Sequence, residues 1–186
     1  MHQWREKEEG RARKILRLIT QIALIAVMAL FCVNYLGFQV RVEGRSMEPV
    51  VEQDSIVLVN QISTCFFAPS RFDIIAFEKN TEKQDMTPQI YVKYVVGLPG
   101  ETVQIKDGKI WIDGELLDAS KYLHDVWVEG LAKDPITLSE EEYFVLGANS
   151  EGSEDSRSTT IGNVRREQII GKAWFSYHSF TDMGIL

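Results

Sequence analysis

The hydrophobic and polar positions of the chain follow two patterns in succession. Residues 18–38 include no charged side chain, and their only strongly polar members are Thr20, Gln21 and Asn34. From Gln39 onward, short runs of β-branched and apolar residues alternate with polar turns. Such runs are typical of β-strands. The first segment is long enough to cross a bilayer as a helix, which takes about 20 residues.

This apolar segment has two other interpretations, a buried core helix and a cleavable signal peptide. A core helix normally carries a polar stripe with a period of 3.6 residues, and residues 22–33 have none. A signal peptide ends in small residues at its cleavage site, whereas residues 34–38 include bulky side chains. We therefore predict an uncleaved transmembrane anchor at 18–38.

The charges of the chain divide at the anchor. Residues 1–17 hold six basic and three acidic side chains, a balance of +3. The net charge of the whole chain is −7, so the remaining 169 residues carry −10. Basic residues on the N-terminal flank favour a cytoplasmic N-terminus. We expect a single-pass protein of the cell membrane, with a cytoplasmic tail at 1–17 and an extracytoplasmic domain at 39–186. The acidic body makes nucleic acid a poor candidate partner.

The strand signals beyond the anchor predict a mostly β domain. Thr102–Lys106 and residues 109–113 flank Asp107-Gly108, a dipeptide that favours a type I′ hairpin. Helix signals are scarce, and Ser139 offers at most one short turn. We expect antiparallel sheets folded over one core, preceded by one N-terminal transmembrane helix. Further strands are predicted at 39–43, 55–62, 72–77, 89–96, 143–146 and 168–176, and polar loops at 78–87 and 148–160.

The two cysteines predict neither a disulfide nor a metal site. Cys32 lies within the predicted anchor and Cys65 well beyond it, which makes a bond between them improbable on geometry. Their spacing is not that of metal ligands. We predict no cofactor and no metal.

A tight turn carries the first candidate catalytic residue. Gly44 and Pro49 bracket a turn after a predicted strand, and this turn would hold the Ser46 hydroxyl at a fixed angle. Serines in turns are common, so this segment alone is weak evidence for catalysis. A polar loop at 147–157 adds hydroxyls, a carboxylate and a guanidinium, which could orient another polar side chain.

A lysine within an apolar strand is the second candidate. Alternation places Lys93 on one face of its strand with Tyr91 and Val95. An ordinary edge-strand lysine that reaches water is one interpretation. If Lys93 is enclosed instead, desolvation lowers its pKa from about 10.4 towards roughly 8, and the neutral amine can act as a general base.

Taken together and in this order, these segments resemble type I signal peptidases of the Gram-positive bacterial form, which are membrane-anchored serine proteases with a Ser–Lys dyad. The resemblance extends over nearly the whole chain from Leu18 onward. Each element is weak alone, and the four together are highly specific. They are Ser-Met-x-Pro at 46–49, a Gln-Asp-Ser-Ile-Val-Leu-Val strand at 53–59, Tyr-Val-Lys-x-Val-x-Gly-x-Pro-Gly at 91–100 and Ser-x-Asp-Ser-Arg at 153–157.

The resemblance implies a role for each matched residue. Ser46 would be the nucleophile and Lys93 the general base, with an acyl-enzyme intermediate on Ser46. Ser153 would orient the lysine ammonium, while Asp155 and Arg157 would shape the site. The substrates would be secretory preproteins with small residues before the cut, processed beside the lipid bilayer. The pocket for those small residues would be lined by Met47, Tyr91 and Val92.

Four positions depart from the family pattern. Ala148 stands where the loop usually has an aspartate, so a carboxylate that stabilises the loop would be missing. Gly44 stands where some members have a serine that completes the oxyanion hole, which excludes a side-chain donor there. Val50 and Tyr94 replace a frequent threonine and a frequent arginine. These departures concern efficiency and substrate range rather than the type of reaction.

Three rival interpretations are weaker. A signal-peptidase-like protein that has stopped cutting could assist the assembly of a surface structure such as a pilus, but the presence of both Ser46 and Lys93 argues against it. A self-cleaving repressor domain uses a related Ser–Lys pair, yet it has no membrane span. A purely structural membrane-anchored β domain would not need four matched motifs.

Overall fold

The computed structural model describes residues 2–79, 89–179 and 182–186, and the side chains of residues 13–79, 89–178 and 183–186. The predicted loop at 78–87 lies mostly outside the described residues. Its first two positions, Glu78 and Lys79, belong to a strand instead.

A long N-terminal helix, α1, comprises His2–Leu36. Its apolar part, Arg13–Leu36, has 24 residues, and none of them is fully buried against the rest of the protein. At 1.5 Å per residue this part is about 36 Å long, enough to cross a hydrocarbon core of about 30 Å. The exposed Leu, Ile and Val side chains of α1 fit a membrane environment and not a soluble surface.

The rest of the described chain is built mainly from antiparallel strands, as predicted. The larger sheet has the order β1-β2-β11-β3-β4-β9-β10, with β12 paired to β11, and the smaller has the order β7-β6-β5-β8. The strands are β1 Phe38–Arg41, β2 Ile56–Asn60, β3 Ile74–Lys79, β4 Gln89–Gly97, β5 Thr102–Lys106, β6 Lys109–Ile112, β7 Glu115–Leu116, β8 Ile136–Thr137, β9 Glu142–Leu146, β10 Val164–Arg165, β11 Ile169–Ser179 and β12 Asp182–Ile185.

The predicted hairpin forms between β5 and β6. Its turn residues Asp107 and Gly108 have φ angles of 52° and 73°, the two positive values that a type I′ turn requires. Asp113 and Gly114, at 53° and 82°, make a second turn of this kind between β6 and β7. The same dipeptide chemistry explains both turns, but only the first was predicted.

A short helix, α2 at Gln61–Phe66, replaces the end of one predicted strand. The strand predicted at 55–62 stops at Asn60, whose side chain accepts hydrogen bonds from the amides of Ile62 and Ser63 at 3.0 and 3.1 Å. This is an N-cap, and it stabilises the first turn of a helix. Cys65 on α2 and Cys32 on α1 are both free thiols.

The core of the domain combines both sheets. The larger cluster of buried residues includes Val57 of β2, Ile105 of β5 and Phe144 of β9. A smaller cluster lies on the other face of the larger sheet and includes Ile75 and Val145. β4 contributes to both clusters by alternation: Val92, Tyr94 and Val96 lie in the larger cluster, and Val95 lies in the smaller one.

Candidate active site

The turn that carries Ser46 is held from two directions. Within the turn, the Val51 amide donates to the carbonyl of Met47 at 2.9 Å. From outside, the Asn149 backbone amide donates to the Ser46 carbonyl at 3.0 Å, and the Asn149 side-chain amide donates to the Arg45 carbonyl at 3.2 Å. The position of the Ser46 hydroxyl therefore depends on a loop about 100 residues later in the chain.

Lys93 lies in the middle of β4, opposite Ile75 of β3. Its side chain is only 3% exposed, which excludes the interpretation of an edge lysine that reaches water. The ammonium nitrogen Nζ lies 2.5 Å from the Ser46 Oγ, within hydrogen-bond distance. The fold thus brings together the two candidate catalytic residues, which are 47 positions apart in the chain.

Burial controls the proton affinity of Lys93. Desolvation lowers the pKa of this amine from 10.5 to about 8, since the charged form loses its hydration. The carboxylates of Asp155 and Glu154 act in the opposite direction and keep the pKa from falling further, while Arg157 lowers it. A substantial fraction of Lys93 is therefore neutral near pH 8, as a general base must be.

Asp155 and Arg157 form a buried ion pair behind the dyad. Asp155 is fully buried and Arg157 is 6% exposed. The guanidinium Nε and Nη2 donate to the two carboxylate oxygens of Asp155, each at 2.8 Å. Asp155 also accepts a hydrogen bond from the Gly147 amide at 3.1 Å, so the pair fixes the loop that contacts the Ser46 turn.

Gly147 is packed too tightly for any side chain. A Cβ at this position would lie 2.2 Å from the Ser153 Oγ and 2.5 Å from the Ser46 carbonyl oxygen. Ser153 is therefore close to the Ser46 turn. Its hydroxyl is buried and has no hydrogen-bond partner among the residues that the structure describes, so its contact with the Lys93 ammonium stays a prediction.

Of the three residues predicted to line the substrate pocket, Tyr91 and Val92 lie on β4 and Met47 lies in the Ser46 turn. Met47 is fully buried, and it belongs with Val92 to the larger core cluster. Tyr91 is half-buried beside the smaller cluster, where its ring stacks on Phe77 at 5.7 Å. Which of the three contact a substrate stays a prediction.

The sequence reasoning missed the part that Asn149 plays in the site. Its only signal was its place in the polar loop directly after Ala148. Ala148, which stands where the family usually has a stabilising aspartate, is buried in the larger core cluster. The loop is held instead by Asn149 and by the Asp155–Arg157 pair. Among the described residues, no three His, Cys, Asp or Glu side chains form a potential metal site.

Comparisons with known proteins show which proteins this chain is similar to. Signal peptidase I of Bacillus caldolyticus is 34% identical over 172 residues, which cover 86% of this chain and 87% of the relative. Signal peptidase I of Leptolyngbya laminosa is 31% identical, with coverage of 90% and 82%. A crystal structure of signal peptidase I from Enterococcus faecalis is 33% identical, covers 57% of this chain and 97% of that chain, and has a TM-score of 0.42.

A family model supports the same assignment over most of the chain. The model described as "Signal peptidase, peptidase S26" matches residues 15–178, which include residues 15–36 of α1 and every strand up to β11 apart from its last residue. Both Ser46 and Lys93 lie within the match. With this coverage and with relatives above 30% identity, the chain belongs to the signal peptidase family, peptidase S26, and is a serine peptidase.

Proposed function

We propose that this chain is a membrane-anchored endopeptidase that removes N-terminal signal peptides from exported preproteins. The observation that carries the proposal is the 2.5 Å contact between the Ser46 hydroxyl and the buried Lys93 amine. The names of its relatives support the choice of substrate. The same contact argues against the alternative of an inactive assembly factor, which would have no need of a buried amine beside a serine.

In the first step, neutral Lys93 accepts the hydroxyl proton as the Ser46 Oγ attacks the scissile carbonyl carbon. The resulting tetrahedral intermediate carries a negative oxygen, and the Ser46 backbone N–H is a candidate donor to it. Gly44 has no side chain that could supply a second donor. The Lys93 ammonium then protonates the departing amine, which leaves the signal peptide as an ester on Ser46.

In the second step, water hydrolyses this acyl-enzyme. Lys93 is neutral again once the amine has left, so it can remove a proton from the attacking water. We propose that Ser153, Asp155 and Arg157 support both steps by positioning the loop and the amine. A Ser–Lys pair needs no histidine for this chemistry.

The segment before the cut has a natural binding position along β4. β3 pairs with β4 from Gln89 to Tyr94, whereas the pairing of β9 with β4 begins only at Tyr94. Residues 89–93 therefore leave one strand edge without a partner among the described strands, beside the dyad. An extended peptide could pair with this edge, and we propose that Met47, Tyr91 and Val92 restrict its side chains near the cut to small ones.

We propose that the N-terminus is cytoplasmic and that the β domain lies outside the membrane. The +3 balance of residues 1–17 supports this orientation. The indole N–H of Trp174 on β11 donates to the Leu36 carbonyl at 2.9 Å, which connects the domain to the end of α1.

A protease added outside intact cells should digest the domain at 39–186. Full protection of this domain from the protease would reverse the assigned orientation.

The pH dependence of cleavage tests the role of Lys93. The base must be neutral, and the pKa of Lys93 is lowered to about 8 by burial. Activity should therefore be low at pH 6, rise about tenfold per pH unit, and level off above pH 8 to 9. The measurement is kcat/KM for a preprotein-derived peptide between pH 6 and 10. A profile that is flat over this range would contradict general-base catalysis by Lys93.

A further inference from the structure

A concave surface adjoins the Ser46 turn, and the reaction of Ser46 and Lys93 does not use it. It is a cavity of about 700 Å³ between three segments: the turn at Glu48 and Pro49, the loop at 149–151, and the irregular segment at 123–127. Neither Tyr91 nor Val92 lines it. The cavity is thus separate from the part of β4 where we place the residues before the cut.

The walls of this cavity are tied to each other and to the nucleophile. The Arg157 guanidinium donates to the carbonyls of Val128 at 3.0 Å and Ser150 at 2.7 Å, which connects two of the three segments. The Ser150 hydroxyl adds a hydrogen bond to the Asp125 carbonyl at 3.1 Å. The neighbouring Asn149 amide holds the Ser46 carbonyl. The cavity therefore keeps a fixed position relative to the reacting hydroxyl.

The lining combines an exposed aromatic ring with carboxylates. Trp127 is 68% exposed, although its ring packs against Gly108 of the hairpin turn. Glu48 and Asp125 also line the cavity, and their charges are paired with Arg45 and Lys109. The third carboxylate, Glu151, is exposed and forms no ion pair with any residue that the structure describes. An indole face beside an unpaired carboxylate favours a cationic group over an anionic one.

We propose that this cavity binds the first residues after the cut, and that Trp127 and Glu151 make it prefer a basic or neutral side chain there over an acidic one. The inference rests on the proposed function. An extended substrate that passes the Ser46 hydroxyl must leave it on the side opposite to its entry. With residues before the cut along the edge of β4, those after the cut meet the cavity. At about 3.3 Å per residue, two or three residues would occupy it.

The charge preference can be measured with three peptides that differ only in the second residue after the cut, which is Lys, Ala or Glu. With the full-length chain in detergent, kcat/KM should be about five times higher for Lys than for Glu. The Glu151→Lys variant should remove or invert this ratio, since it replaces the unpaired carboxylate by a cation. The matched control is Glu167→Lys, which makes the same charge change at an exposed residue that does not line the cavity.

A truncated peptide tests the position of the cavity along the substrate. The Trp127→Ala variant should lower kcat/KM for a peptide with four residues after the cut several times more than for a peptide with one. Folding of this variant is checked by its melting temperature, because the Trp127 ring also packs on the hairpin turn.

Three outcomes would count against the inference in different ways. An unchanged Lys-to-Glu ratio in Glu151→Lys would overturn the charge preference. If the kcat/KM of the Trp127→Ala and Glu151→Lys variants depends instead on the residues before the cut, the cavity binds that part of the substrate. A wild-type chain that cuts no peptide would overturn the proposed function and this inference with it, whereas normal cutting with unresponsive variants overturns the inference alone.

Discussion

The Ser46→Ala variant is expected to lose cleavage of an exported preprotein by roughly 10⁴-fold or more, because it removes the atom that forms the acyl-enzyme. The fold should be retained, since the turn is held by backbone contacts to Val51 and Asn149 that do not involve the hydroxyl. The measurement is the appearance of the processed protein on incubation with purified full-length enzyme in detergent. N-terminal sequencing should place the single cut after a small residue.

The matched control for this variant is Ser63→Ala. It removes a hydroxyl on α2 that donates to the Asn60 carbonyl at 3.0 Å, away from the dyad. We expect this control to cut like the wild type. Undiminished cleavage by Ser46→Ala would contradict the assignment of the nucleophile, and a wild-type chain that cuts no preprotein would favour the assembly factor.

The Lys93→Met variant is expected to lose activity by a similar factor and yet to be more stable near neutral pH. Methionine fills most of the space of the lysine stem but accepts no proton. The folded state of the wild type must bury an ammonium whose pKa falls from 10.5 to about 8. At 1.36 kcal/mol per pKa unit, this burial costs about 3 kcal/mol at pH 7.

The sign of this stability effect depends on pH. Below pH 8 the amine is charged in both the folded and the unfolded chain, so the full cost applies. Between pH 8 and 10.5 the unfolded state binds more protons, so the stability of the wild type rises with pH and the advantage of Lys93→Met disappears. Thermal unfolding of the two proteins at pH 7 and pH 10 measures the difference.

Lys79→Met provides the control for Lys93→Met. Lys79 lies on the neighbouring strand β3, and burial lowers its pKa as well. Its amine contacts the Asn163 carbonyl at 3.5 Å and not the Ser46 hydroxyl. Cleavage should therefore persist in this variant. An active Lys93→Met enzyme would show that another group takes the proton.

Much of the fold follows from local rules. The uninterrupted apolar residues of α1 predict a helix long enough to cross a bilayer, and the structure has that helix at Arg13–Leu36. Asp107-Gly108 predicts its own turn, because both residues tolerate positive φ angles. The alternation of β4 correctly predicts that Val95 lies on one face of the strand, in the smaller cluster, and that Val92, Tyr94 and Val96 lie on the other, in the larger cluster.

Other parts of the fold and the site did not follow from these rules. The strand predicted at 55–62 continues the β-branched pattern past Asn60, but the side chain of Asn60 caps a helix there. Ala148 lies within a polar loop by sequence and is buried in the core. Asn149 has no distinctive pattern, and its contact with the Ser46 carbonyl exists only because a distant loop folds back onto the turn.

The sequence by itself determined the apolar span, the antiparallel β class, the main hairpin and the two candidate catalytic residues. The span, the β class and the hairpin depend on the composition and order of neighbouring residues, which local sterics and hydrophobic periodicity translate directly into structure. The two candidate catalytic residues came instead from the resemblance of four motifs, in order, to those of type I signal peptidases. Only the tertiary structure decided that Ser46 and Lys93 lie 2.5 Å apart and that Lys93 is buried enough to lose much of its positive charge near pH 8. Proximity and desolvation arise from contacts between segments far apart in the chain, which no local pattern encodes.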